Sequence, residues 1–283
     1  MNPFESIPQE IKQTILDAKE NGLTRMQICT QYGFDWDVVI HCFGESQKKI
    51  IEKEMVHQGI GYTFKWVRHR YSALSQNTKT QVLYKYLSTI AQGHYPKEFF
   101  NDRSVQRISQ FRLNRLKRGI VAEIGKSLIR EGHIQETLSI HPLTKIAKHL
   151  FAEHVNQQKP KPSHNDIQTR ILEKDPHAMA MEIPIWGNPP ITPEVVTGHI
   201  DLLRFVDDVL FILDYKPENN FMPSVPQVAF YGYLLQKNLN LKNIRCASFS
   251  NKRIWEFNPD ILNEINRILS EHNINFFAWQ KYI

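Results

Sequence analysis

No stretch of this chain approaches the roughly eighteen consecutive apolar residues that a membrane-spanning helix needs. The opening residues, MNPFESIPQE, lack the basic and apolar regions of a secretory leader. These absences predict a soluble, unprocessed, cytoplasmic protein with no membrane partner. Cysteine is scarce: Cys29, Cys42 and Cys246 are too few and too scattered for a disulfide framework or a four-thiolate metal site. Structural zinc of that kind and iron–sulfur clusters are thereby excluded, and a reducing compartment fits. Internal repeats and low-complexity tracts are also lacking.

What is present is a 283-residue chain with 41% apolar residues, enough for one large domain or two modest ones around a real core. The net charge is +6, and it is unevenly spread. Residues 61–135 hold fourteen Lys and Arg against four acids, interleaved with Tyr62, Phe64, Trp66, Tyr71, Tyr84, Tyr86 and Tyr95. That composition suits a surface that holds phosphates and stacks on bases; the alternative is a solvated helical face over core aromatics.

The first hundred and fifty residues read mainly as helices. Apolar positions at helical spacing run from Ile7 to Ala18, the chain turns at Asn21-Gly22, and Thr24 is placed to cap a second helix. A turn at Gly33 and a third helix over 35–43 follow, and Cys29, Gly33 and Val39 resemble the small, Gly, Val pattern of a helix-turn-helix. Asp35 and Asp37 stand where such a motif would face phosphates, and residues 1–60 carry six basic against nine acidic groups, which opposes nucleic-acid binding by this module.

Helical patterns continue over 76–92 and 103–131. NQQKPKPSHN, 156–165, reads as a loop. After it, 180–186, 198–205, 209–216, 244–249 and 252–257 read as strands, with helices over 224–237 and 259–272. His149 and His154 are not at the i, i+4 spacing of a helical metal pair and read as surface or core residues.

The strands at 198–216, GHIDLLRFVDDVLFILDYK, carry Asp201, Asp214 and Lys216 in otherwise apolar runs. A tight turn at Asp207-Asp208 pairs Val206 with Val209, and the same register sets Asp201 opposite Asp214. Alternation places Asp214 and Lys216 on one face while Tyr215 points away. Opposed β-carbons lie only about 4.5–5.5 Å apart, where like charges repel. Protonation of one carboxyl, a basic partner or a bound cation must compensate. An Asp214–Lys216 ion pair on a sheet edge, with Asp201 solvated, is the plain alternative. Apolar Leu202, Leu203, Ile212 and Leu213 on both faces argue against it.

The order of these pieces carries a resemblance. A strand ending in Trp186, then Gly198 three residues before Asp201, then Asp214-x-Lys216, then Gln227 and Tyr231 on one helical face resembles the PD-(D/E)XK nuclease superfamily. Within it the likeness is to RecB-type recombination nucleases and CRISPR-associated exonucleases, over about residues 180–257, without the cysteine-ligated cluster of many of the latter.

The resemblance implies an α+β fold with an α/β core: a mixed β-sheet flanked by helices of restriction-endonuclease-like type, preceded by an all-helical N-terminal region. The corresponding division is a helix-turn-helix-like module at 1–45, a basic helical region at 46–105 and a nuclease-like domain at 106–283. It further implies a Mg²⁺-dependent deoxyribonuclease, with Mn²⁺ able to substitute, DNA as partner, and a homo-oligomer among the states allowed. Asp201 and Asp214 would bind the metal with the Tyr215 carbonyl and an acid or His from a preceding helix. Glu123 is the expected residue there and Glu153 its rival. Lys216 would orient the attacking water, and Gln227 and Tyr231 would position the strand or brace Lys216. His199, two residues before Asp201, shares its face. The competing class is a non-catalytic DNA-binding or regulatory protein on a nuclease-like scaffold.

Overall fold

The computed structural model describes residues 7–47, 50–67, 70, 80–138, 140–189, 191–217 and 220–283. The chain divides into two compact units, Met1–Ile51 with Val67–His69, and Glu52–Trp66 with Arg70–Ile283.

The first unit holds three helices, α1 (Gln9–Glu20), α2 (Arg25–Tyr32) and α3 (Trp36–Gln47). Thr24 caps α2 as expected: its hydroxyl accepts from the Gln27 amide, and Gln27 Oε1 accepts from the Thr24 N–H at 2.8 Å. Gly33, at φ +67°, ends that helix in the left-handed conformation that a Cβ would disfavour. Ile15, Ala18, Ile28, Val39, Cys42 and Phe43 close a small core.

The second unit is α+β, built on an open mixed sheet of nine strands among the described residues: β1 (Ile50–His57), β2 (Ile60–Val67), β3 (Gln106–Arg107), β4 (Ile134–Leu138), β5 (Ala178–Gly187), β6 (Val196–Val206), β7 (Val209–Tyr215), β8 (Ile244–Phe249) and β9 (Arg253–Phe257). The spatial order is β1-β2-β5-β6-β7-β8-β9-β4, with β3 pairing the start of β6. Its helices are α4 (Gln81–Ala91), α5 (Lys97–Asn101), α6 (Arg118–Arg130), α7 (Pro142–Asn156), α8 (His164–Lys174), α9 (Val225–Leu239) and α10 (Ile261–Glu271). The β7-α9-β8 segment joins two parallel strands through a buried helix, and β5, β6 and β7 form an antiparallel centre.

Two expectations about the N-terminal half are corrected. Residues 46–105, expected to be helical, contribute the hairpin β1–β2, which turns at Gln58-Gly59, both at positive φ. β1 is an edge strand, so Glu52, Lys53 and Glu54 are solvated there and mask its alternation. Residues 103–131, expected as one helix, are β3, a short 3₁₀ turn and a loop before α6 begins. The Leu113 N–H donates to the Pro223 carbonyl at 3.0 Å, a tertiary bond that helix formation would forgo.

The basic, aromatic stretch is only partly a surface. Arg70 donates to the carbonyls of Leu172 and Ala178, Arg107 to the Tyr62 hydroxyl at 2.7 Å, and Lys65 pairs with Glu52. Phe64 and Trp66 are buried, and the Tyr86 hydroxyl donates to Pro184 O. Tyr71, Arg68 and Lys79 lie outside the described residues.

Candidate metal centre

The β6–β7 hairpin folds in the expected register from Val206↔Val209 to Leu202↔Leu213, and just beyond its last pair the carboxylates of Asp201 and Asp214 come together in one cluster. The turn residues Asp207 and Asp208 both adopt positive φ, as a two-residue hairpin turn requires. Asp214 is buried, and it also sits beside Ser248 on parallel β8. Lys216 follows β7 and places Nζ 2.9 Å from Asp214 Oδ2; Ser224, at the mouth of α9, donates to the same oxygen at 3.2 Å. The other oxygen, Oδ1, is buried with no hydrogen-bond partner, in a site otherwise rich in polar groups.

A third group arrives from α8, whose first two residues fall in the segment expected to be loop. Ser163 caps α8 through a capping box with Asp166, and His164 is the first residue of that helix. His164 Nε2 lies 3.3 Å from Asp201 Oδ2, 3.9 Å from Asp214 Oδ1 and 3.0 Å from the Tyr215 carbonyl. One atom each from His164, Asp201 and Asp214 falls within 4.8 Å of the others. Burial holds the imidazole below its ordinary pKa despite Asp214 nearby, so it is neutral near neutral pH and available as a ligand. The signal was present in the sequence as Ser-x-x-Asp just after the Lys-Pro-Lys-Pro stretch.

Glu123, the expected helical ligand, does not join this group: it is exposed on α6. Its rival Glu153 is engaged by Arg170 and His149 at 2.9 and 3.2 Å. His199 is buried in another cluster, with Nδ1 3.3 Å from His57 Nδ1 and its ring stacked on Tyr62.

Burial raises the Asp201 pKa well above the carboxylate range, and the charge of Asp214 raises it further. Glu182, which lies opposite Asp201 in the β5–β6 register, adds to this effect. Glu182 itself is pushed up to about 7 by burial, although Gln168 hydrogen-bonds it. It adopts φ +52° in mid-strand, a conformation unusual for a non-glycine residue and of the kind that clusters at functional sites. In the sequence it is one polar position in an otherwise apolar strand. Gln168 also reaches His164 Nδ1 at 3.4 Å, so one buried amide touches both residues.

Gln227 and Tyr231 do meet on one face of α9, with Gln227 Nε2 donating to the Tyr231 hydroxyl at 3.2 Å. Their common target is not Lys216. Gln227 Oε1 accepts from Arg112 Nε at 3.2 Å, which turns the Arg112 side chain into the pocket wall. Tyr231 is buried against Gly198 and acts from behind Gln227. Arg112, Lys216, His164 and Asp201 thus line one cavity of about 540 Å³. Searched against family models, curated proteins and solved structures, the chain matches none.

The residues fit a divalent cation. Two hard carboxylates, one with an orphaned buried oxygen, a main-chain carbonyl and a neutral imidazole converge on one point. The carboxylates and the carbonyl suit Mg²⁺, Ca²⁺ or Mn²⁺, and the imidazole suits Zn²⁺, Fe²⁺ or Ni²⁺.

Proposed function

We propose that the chain is a metal-dependent deoxyribonuclease that hydrolyses phosphodiester bonds. The observation that carries this reading is that His164 and Asp201, two members of the His164, Asp201 and Asp214 cluster, line a single pocket with the cations Lys216 and Arg112. A carboxylate cluster alone would serve many cation sites. Two cationic side chains on its rim add what an anionic, tetrahedral substrate needs. The ordered likeness to PD-(D/E)XK nucleases points the same way and implies Mg²⁺, with Mn²⁺ as a substitute.

Asp201, Asp214, His164 and the Tyr215 carbonyl would hold the ion. When bound there, a divalent cation supplies Lewis-acid polarisation of a phosphoryl oxygen and acidifies water. The remaining work belongs to the chain. Asp214 fixes the Lys216 ammonium at 2.9 Å, leaving its other N–H donors to orient a water and to stabilise charge growing on the phosphoryl oxygens. Gln227 occupies Arg112 Nε, so the two terminal nitrogens remain to grip a non-bridging oxygen. Tyr231 keeps Gln227 in that rotamer.

The test is incubation of purified protein with linear and circular, single- and double-stranded DNA in Mg²⁺, Mn²⁺ or EDTA. Cleavage should require the cation, and Lys216→Ala and Asp214→Ala should each reduce it at least about 100-fold while DNA binding persists. Cleavage in EDTA, or full activity in either variant, would overturn the mechanism.

A further inference from the structure

A second cavity, of about 930 Å³, opens beside the metal pocket and shares the walls formed by Asn114, Asn220 and Pro223 with it. Its interior is apolar: Leu116, Val121 and Ile129 face Met222 and a floor in which Phe221 stacks on Trp255 at 4.2 Å. Its rim is cationic. Arg118, Ala122 and Lys126 recur every fourth residue along α6, so they form one stripe on the groove side. The two cations are spaced about 12 Å along the helix axis. Among the described residues neither has a carboxylate within ion-pair distance. Arg253, across the groove, is instead neutralised by Glu136 at 2.7 Å.

We infer that this groove takes a single-stranded stretch of the nucleic acid whose phosphodiester lies in the metal pocket. The inference rests on the nuclease reading of that pocket, and it specifies the substrate as one with an unpaired end or gap. A single strand alternates apolar base faces with anionic phosphates, which matches an apolar interior under a two-cation rim. The cavity is within the roughly 300–1,000 Å³ that suits small organic groups, enough for an unstacked base and too small for a duplex. Continuity through Asn114 and Asn220 lets one strand run from Arg118 and Lys126 to Arg112 and Lys216 without leaving the surface.

The test separates binding from chemistry. Binding is read by fluorescence anisotropy in EDTA with labelled twelve-nucleotide oligo(dT), oligo(U) and a blunt DNA hairpin. Two variants address the groove at exposed positions: Ala122→Trp fills it, and Arg118→Ala/Lys126→Ala removes its charge. Each should weaken single-strand binding about tenfold or more and leave hairpin binding within about twofold. The charge variant should also lower the salt slope of single-strand binding by about 1.4, the value for two lost phosphate contacts. Equal affinity for oligo(dT) and oligo(U) would assign the groove to single strands of either sugar, whereas a preference would name one. Unchanged single-strand affinity in both variants, or an equal loss for the hairpin, overturns the inference. If wild-type protein cleaves an overhang substrate in Mg²⁺ and both variants cleave it equally well, the groove reading falls and the nuclease reading stands. If nothing is cleaved but single-strand binding follows the variants, the nuclease reading falls and the groove stands.

Discussion

His164 Nε2 lies 3.3 Å from Asp201 Oδ2 and reaches the carbonyl of Tyr215, the residue that separates Asp214 from Lys216. The first turn of one helix thus meets both strands of the hairpin at a single point. Without an ion, two carboxylates share that point and one buried oxygen has no partner. Binding a divalent cation should therefore stabilise the fold. At a free concentration of 100 times Kd the gain is about 2.7 kcal/mol, read as a rise in Tm in Mn²⁺ or Mg²⁺ over EDTA. Asp214→Asn and His164→Ala should each lose most of that rise; a rise that survives in both would show that the cation binds elsewhere.

The acids predict a pH dependence of the metal-free protein. Burial raises the pKa of Asp201, and that of Glu182 to about 7, so folded protein retains protons that the unfolded chain releases near ordinary carboxylate values. Their stabilisation is complete below those values, and that of Glu182 is lost as pH rises through about 7. His57 and His141, lowered to about 4 by burial, act in the opposite sense. The informative quantity is therefore the difference between wild type and Glu182→Gln. In urea titrations with EDTA from about pH 5 to 7, wild type should lose stability relative to the variant as pH rises. A difference that stays flat, or grows in wild type's favour, contradicts this.

Gly198 is placed by close approach. A Cβ there would lie 2.5 Å from the Tyr231 ring and 3.2 Å from Ile108 Cβ. Gly198→Ala should cost about 1–3 kcal/mol, the usual range for overpacking, and should displace the Tyr231–Gln227–Arg112 chain. Thermal denaturation measures the cost, and Tyr231→Leu in the Gly198→Ala background should recover part of it.

In the first unit, Thr24→Ala removes the hydroxyl that accepts from the Gln27 N–H at the start of α2, while the backbone N–H of residue 24 still donates to Gln27 Oε1. The expected loss is about 1 kcal/mol, seen as faster hydrogen exchange in α1–α3 with the sheet unaffected.

The hairpin was legible because its information is local. Alternation and the Asp207-Asp208 turn specify the register, and the register brings Asp201 and Asp214 together. Gln227 and Tyr231 were legible for the same reason, since four-residue spacing on a helix puts two side chains together. The first-half strands were harder. β1 is an edge whose charges face water, and β3 is two residues long and exists only because β6 lies beside it.

Composition and pattern alone were enough for the mixed α+β character of the second unit, the three N-terminal helices and the pairing of two aspartates. They could not choose the helical ligand. Glu123, Glu153 and His164 all lie on helices before the first central strand, and only packing leaves Glu123 exposed, ties Glu153 to Arg170 and brings His164 to Asp201. Nor could they assign Gln227 to Arg112 or bring Glu182 beside Asp201, because those contacts join segments 115 and 19 residues apart. Local periodicity determines which face a residue occupies; which residue waits on the opposite face is decided when the layers pack.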